Sequence, residues 1–209
     1  MNYLCLDMGN VLVDLNLEPF RKAVSKQLNI SKADADHFLT TTQSKQDIGI
    51  TNIRDELVTH FAIKSEYILD DLMDAWLQVV KPNWDSIMFF NEIIEKFHLK
   101  TAILSNIGFE HAKMFGEKLK DQPVFADSIH HFSCEVGARK PTTLFFKTFL
   151  DMHPEFKGAL YLDDIEANVE AGSRMGLSGR VYDLSCHFFS LGFDKQFVVE
   201  HFSKIVKNP

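Results

Sequence analysis

The first apolar residues come as Leu4-Cys5-Leu6, run straight into Asp7, turn through Gly9-Asn10 and resume as Val11-Leu12-Val13. A short apolar run closed by a polar residue reads as a buried strand with its chemistry at the tip. The pattern recurs twice: Thr101-Ala102-Ile103-Leu104 leads into Ser105-Asn106, and Ala159-Leu160-Tyr161-Leu162 leads into Asp163-Asp164. Between residues 16 and 84 the spacing is helical instead. Asn16 is placed to cap a first helix, with Pro19 in its first turn and Phe20, Val24 and Leu28 on one face. Ser31 caps a second (Ala33, Phe38 and Leu39 inward) and Thr51 a third (Ile53, Leu57, Val58, Phe61). Ser65 caps a fourth (Ile68, Leu72, Trp76, Val79), which Pro82 stops. No strand is expected in this block.

From Asp85 a helix bearing Ile87, Phe90, Ile93, Ile94 and Phe97 leads into the strand at 101–104, and helices and strands then alternate. The pattern predicts a helix at 109–119, a strand at 129–132, a helix at 142–152 and the strand at 159–162. A helix at 167–175, a short strand at 180–182 and a last helix at 196–205 follow. Five strands with helical crossovers imply right-handed β-α-β units and an open parallel α/β sheet, to which residues 3–7 belong although the helical block separates them. Sheets of this kind bind ligands at the C-terminal ends of their strands. The expected division is a core of residues 1–15 and 85–209 with a helical insertion at 16–84.

Composition narrows the function. The chain has 209 residues, 45% of them hydrophobic, enough for one full core, and a formal net charge of −7. With Lys and Arg scattered singly or in pairs, nucleic acid and anionic membranes are disfavoured as partners. Three widely spaced cysteines, Cys5, Cys134 and Cys186, form no C-x-x-C pair, which suggests neither a disulfide framework nor a zinc site and fits a reducing cytoplasm. No signal-peptide pattern or membrane-length apolar run is present. The 19 Phe residues, including Phe89-Phe90, Phe145-Phe146 and Phe188-Phe189, read as packing.

Four pieces carry chemistry: Asp7, Ser105-Asn106, Arg139-Lys140-Pro141 and Asp163-Asp164. Carboxylates at two strand tips offer the oxygen-rich site that a hard cation such as Mg²⁺ takes. A hydroxyl, an ammonium and backbone N–H groups are what hold a phosphate. Asp7 could then act as a nucleophile on phosphorus. Each piece also has a plainer reading: Asp7 and Ser105-Asn106 as turn residues, Lys140 as a loop cation, Asp163-Asp164 as a helix cap. His111 reads as a helical His or a substrate contact, His130-His131 point to opposite strand faces, Trp76 reads as packing or a substrate contact, and Asp14 as a solvated turn carboxylate or a proton donor.

Taken together, the four motifs resemble those of the haloacid dehalogenase (HAD) superfamily. They run in order as Asp7-Met8-Gly9-Asn10-Val11-Leu12, Leu104-Ser105-Asn106, Gly137-Ala138-Arg139-Lys140-Pro141, and Leu162-Asp163-Asp164 followed by Asn168 and Ala171-Gly172. The first and third forms are most similar to the sugar-phosphatase branch that includes α-D-glucose-1-phosphatase. The resemblance implies a Rossmann-like core with a helical cap at 16–84. It implies Asp7 as nucleophile, Ser105, Asn106 and Lys140 around a phosphate, and Asp7, the Gly9 carbonyl, Asp163 and Asp164 around Mg²⁺. The implied substrate is a small phosphorylated metabolite such as a sugar phosphate, and oligomeric state stays open between monomer and homodimer.

One departure stands out. Phosphatases of this type usually carry a second Asp two residues after the nucleophile as general acid and base, and here that position is Gly9. General acid–base help contributes roughly 10²- to 10⁴-fold in rate. Leaving groups that need little protonation are therefore expected: the anomeric oxygen of a sugar 1-phosphate, an acyl phosphate or an aryl phosphate. The alternatives are an L-2-haloacid dehalogenase, whose Asp attacks carbon without a metal, and a non-catalytic phosphate-binding protein.

Overall fold

The computed structural model describes residues 2–182 and 190–207, so Cys186 and Phe188-Phe189 lie outside the described residues. In chain order the elements begin with β1 (Tyr3–Leu6), β2 (Val13–Leu15), α1 (Glu18–Leu28), α2 (Lys32–Asp47), α3 (Ile53–Phe61), α4 (Glu66–Leu77) and β3 (Val80–Pro82). The second half contains α5 (Trp84–Phe97), β4 (Lys100–Ser105), α6 (Phe109–Lys118), the one-turn α7 (Pro123–Ala126), β5 (Ile129–Phe132) and the one-turn α8 (Ser133–Val136). It closes with α9 (Thr143–Met152), β6 (Leu160–Asp163), α10 (Glu166–Met175), β7 (Ser178–Val181) and α11 (Ser190–Lys207).

Five strands form one parallel sheet in the order β5-β4-β1-β6-β7. β1 sits at the centre, flanked by β4 and β6, and the direction of strand addition reverses there, which is where such sheets build a site. The register explains the convergence of the tips. Leu6 pairs with Ile103 on one side and Leu162 on the other, so Asp7, Leu104 and Asp163 emerge at one level. Leu4, Leu6, Leu160 and Leu162 face a large apolar cluster that also takes in Phe20, Phe38, Leu57 and Phe90 from the helices. The opposite face, with Cys5, Ala102 and Tyr161, packs on Phe145, Phe146 and Phe149 of α9. Gly172 of α10 lets that helix close on the sheet, since a Cβ there would come within 2.8 Å of the Tyr161 ring.

The helical insertion differs from its sequence expectation in detail. Residues 16–84 are not free of strands: Val80–Pro82 pairs antiparallel with Val13–Leu15, and this two-stranded ribbon joins the start of the helical block to its end. Three-residue strands are too short to show an alternation, and only the partner 67 residues away creates them. The fourth helix accordingly stops at Leu77, ahead of Pro82. Ser31 forms the full capping box with Asp34, and Ser65 caps α4 as expected. The third helix is capped by Asn52, whose side chain accepts from the Asp55 N–H, rather than by Thr51. Asn16 accepts from the Glu18 N–H at 3.0 Å. On α2 the inward small residue is Ala35, while Ala33 is exposed, and on α3 Val58 faces solvent.

Candidate active site

Lys140 is the hub of the strand tips. Its side chain is 1% exposed, and its Nζ lies 2.8 Å from Asp7 Oδ1, 2.6 Å from Asp163 Oδ2 and 2.7 Å from the Leu104 carbonyl. One ammonium thus ties together the ends of β1, β6 and β4. Burial works against its charge, but the two carboxylates hold its pKa above the ordinary lysine value. The Lys140 backbone is fixed just as firmly. Asn106 accepts from the Lys140 N–H at 2.8 Å and donates to the Lys140 carbonyl at 3.0 Å. Both ends of the Asn106 amide are therefore occupied in positioning Lys140.

Asp163 is fully buried, and its four acceptor positions are filled. Lys140 and the Tyr161 hydroxyl donate to Oδ2, while the Ile165 N–H and Asn168 donate to Oδ1 at 2.9 Å each. Burial pushes its pKa up, yet the Lys140 ammonium and these donors hold it below the usual carboxylate range. Asp7 differs. Its Oδ1 accepts from the Met8 N–H at 2.6 Å besides Lys140, and no hydrogen bond reaches Oδ2 among the described residues. Burial pushes the Asp7 carboxyl up to about 7 against the pull of Lys140, with Asp163 adding to the rise. Asp164 receives a single side-chain donor, the Asn10 amide 2.9 Å from its Oδ2, and burial raises its pKa. Asn10 reaches it from a left-handed backbone turn with φ of 50°.

Carboxylate oxygens of Asp7, Asp163 and Asp164 lie within 4.8 Å of one another. When all three carboxylates are ionised, they and the one ammonium carry a net charge of −2, which a divalent cation balances, and the open oxygens belong to Asp7 and Asp164. The donor set fits Mg²⁺ in charge and hardness. On this geometry Asp7 and Asp164 would hold the ion directly. Asp163, with its acceptors committed, is suited to act through water. The hydroxyl of Ser105, a residue 3% exposed at the end of β4, makes no hydrogen bond among the described residues and stands beside Asn106 at the same edge.

A cavity of about 190 Å³ adjoins these tips, bounded by Met8 and Gly9 of the β1 loop and by Ser105 and Asn106. Its remaining walls come from the helical insertion, the ribbon and α6. Asp47, the last residue of α2, lines it and lies 3.1 Å from Arg139, an ion pair joining the insertion to the loop that carries Lys140. Burial pushes the Asp47 carboxyl up to about 6 despite Arg139. His111 lines the cavity too. Its Nε2 pairs with the Trp76 carbonyl at 2.9 Å, and burial lowers its pKa, leaving it neutral at pH 7. His130 and His131 bond the Phe125 and Phe145 carbonyls, away from the tips. Asp14 accepts from Asn83 on the exposed ribbon.

Sequence reasoning overlooked Asp47, Asn10 and Tyr161. Asp47 had a signal: an acidic residue ends a helix just before Gly49, where the helix dipole favours a cation. Tyr161 looked like part of an apolar strand and gave none.

Comparison with solved structures places the fold. The chain superposes on a HAD family enzyme, BT-2542 from Bacteroides thetaiotaomicron, with a TM-score of 0.73 and 22% identity over 91% of this chain and 98% of that one. A second structure of that enzyme, in complex with magnesium and inorganic phosphate, gives 0.72 and 21% over the same shares. A HAD-like family hydrolase from Porphyromonas gingivalis gives 0.74 and 18% over 94% of this chain and 98% of that one. No protein-family model and no curated protein matches the sequence. The chain has the HAD fold: a Rossmann-like α/β core with a helical insertion after its first strand.

Proposed function

We propose that the protein is a Mg²⁺-dependent phosphomonoester hydrolase acting on a small phosphorylated metabolite through an aspartyl-phosphate on Asp7. The observation that carries this reading is the shared position of Lys140 between Asp7 and Asp163, with the unengaged Ser105 hydroxyl beside it. An ammonium and a hydroxyl at the tip of a nucleophilic carboxylate are what a transferring phosphoryl group needs. The Mg²⁺ and phosphate held by BT-2542, which has the same fold, support it. The net charge of −2 on the carboxylate cluster favours a metal-using phosphatase over an L-2-haloacid dehalogenase.

In this mechanism Asp7 attacks phosphorus, the bond from phosphorus to the leaving oxygen breaks, and water later cleaves the acyl phosphate to free Asp7 and inorganic phosphate. Ser105 and Lys140 orient the phosphoryl oxygens and offset their charge, and Asn106 keeps Lys140 in place. When bound, Mg²⁺ supplies Lewis-acid neutralisation of the phosphoryl oxygens. With Gly9 in place of an acidic residue, the leaving group departs as an anion or takes its proton from water. Residues 16–84 act as the cap over the cavity. The test is phosphate release by the full chain with Mg²⁺ and with EDTA. Asp7→Asn should lower the rate on the order of 10⁴-fold or more while folding normally. Release that survives Asp7→Asn or metal removal would overturn the reading.

A further inference from the structure

The cavity beside the strand tips is where a leaving group must sit, and its chemistry can be read residue by residue. Apolar side chains, among them Leu15, Leu17, Leu39, Trp76, Val79 and Phe115, make up more than half of the residues in its wall. Its polar side chains are largely spoken for. Asn106 is bonded at both ends to the Lys140 backbone, and His111 Nε2 to Trp76. The Gln46 amide donates to Thr42 at 3.0 Å, and Asp47 pairs with Arg139. Besides Gln43, the open polar atoms are the Gln46 carbonyl oxygen, the second Asp47 oxygen and His111 Nδ1, since Ser105 belongs to the phosphoryl group. A sugar brings several hydroxyls, and each one buried without a partner is costly. No Lys or Arg lines the cavity and Asp47 does, so an anionic body is also disfavoured.

A second observation concerns the missing acid. A Cβ built on Gly9 would lie 3.9 Å from Asp7 Oδ2 and 3.1 Å from Leu15 Cδ1, so a side chain at this position would stand between the nucleophile and a leucine. Gly9 thus offers no proton donor beside Asp7, and the side chain nearest to its would-be Cβ is the hydrocarbon of Leu15. A phenol oxygen departs without a proton, whereas an alkyl oxygen needs one. A ring also suits the size, since an apolar cavity of about 150 Å³ accommodates benzene.

We propose that the leaving group of this site is an uncharged aryl oxide, so that the substrate is an aryl phosphate. This rests on the phosphatase reading above. A sugar 1-phosphate satisfies the leaving-group condition but not the wall, and an aliphatic phosphate satisfies the wall but not the leaving-group condition. An aryl phosphate meets both.

Two measurements test it. With Mg²⁺, phosphate release is compared for phenyl phosphate, 4-carboxyphenyl phosphate, glucose 1-phosphate and glucose 6-phosphate. Phenyl phosphate should exceed glucose 1-phosphate in kcat/KM by about 100-fold and 4-carboxyphenyl phosphate by about 10-fold, with glucose 6-phosphate slowest. Leaving-group chemistry is then removed by measuring binding to Asp7→Asn, where phenyl phosphate should bind about 10-fold or more tighter than glucose 1-phosphate, as one buried ring warrants. Leu39→Asn in the same background should shrink that ratio. Equal or tighter binding of glucose 1-phosphate would overturn the aryl assignment alone. Release from none of the four phosphates would overturn the phosphatase reading and this one with it.

Discussion

At the scale of single residues, the site is a set of charges whose partners decide their roles. Asp7 and Asp163 are both buried carboxylates beside Lys140, yet one has an unengaged oxygen and a pKa near 7, while the other is saturated by four donors and held low. A nucleophile needs the unengaged oxygen, and a structural anchor needs the saturated, ionised carboxylate. Asn106 was expected at the substrate, and the geometry makes it the clamp of the Lys140 backbone. Asn106→Ala removes two partly buried hydrogen bonds and should cost about 2 kcal/mol of stability. Phosphate release should fall further than stability explains. A urea unfolding curve read beside kinetics at saturating substrate checks this, and an unchanged kcat would refute the positioning role.

Among the elements, the telling contact is the end of α2 against the Lys140 loop. Asp47 is nearly buried, paired with Arg139, and carries a carboxyl raised to about 6 by burial. The sign follows from linkage. Between the unfolded value near 4 and the folded value near 6, the folded state binds more protons, so the ionisation of Asp47 lowers stability as pH rises through that window. The loss is on the order of 3 kcal/mol by pH 7. Asp47→Asn lacks this slope. Its unfolding free energy relative to the parent should therefore improve from pH 4 to pH 7, and a difference constant with pH would contradict the assignment. The same contact joins the insertion to the core together with Glu110, which accepts from the Ile53 N–H at the start of α3.

For the whole molecule, three carboxylates converging on one sheet edge store repulsion that a divalent cation relieves. Mg²⁺ should thus raise the thermal midpoint, since a ligand that binds only the folded state at 100 times its dissociation constant adds about 2.7 kcal/mol. Asp164→Ala should abolish most of that shift while leaving the Lys140 hub intact. A midpoint indifferent to Mg²⁺ would count against the metal site. Among the described residues no helix is long and apolar enough to cross a membrane.

Much of this was legible in the sequence because the signals are local. An apolar run and the carboxylate that ends it are neighbours in the chain, so Asp7, Ser105 and Asp163 announce themselves as strand tips. The Ser31 and Ser65 caps and the helical faces do likewise. In a parallel sheet the tips of adjacent strands must share an edge, so their meeting was implied as well. What sequence could not supply depends on partners distant in the chain. The β2–β3 ribbon exists only through its pairing, Asp47 matters only because Arg139 comes to it, and Asp163 is distinguished from Asp7 only by the donors that surround it. The sequence determined which chemistry is present and at which edge. Tertiary structure alone decided which carboxylate is open and which is anchored, and that Leu15 is the side chain closest to where a Gly9 Cβ would be. Charge, hydrogen bonding and solvent exclusion act through space, and the order of residues along the chain does not fix those distances.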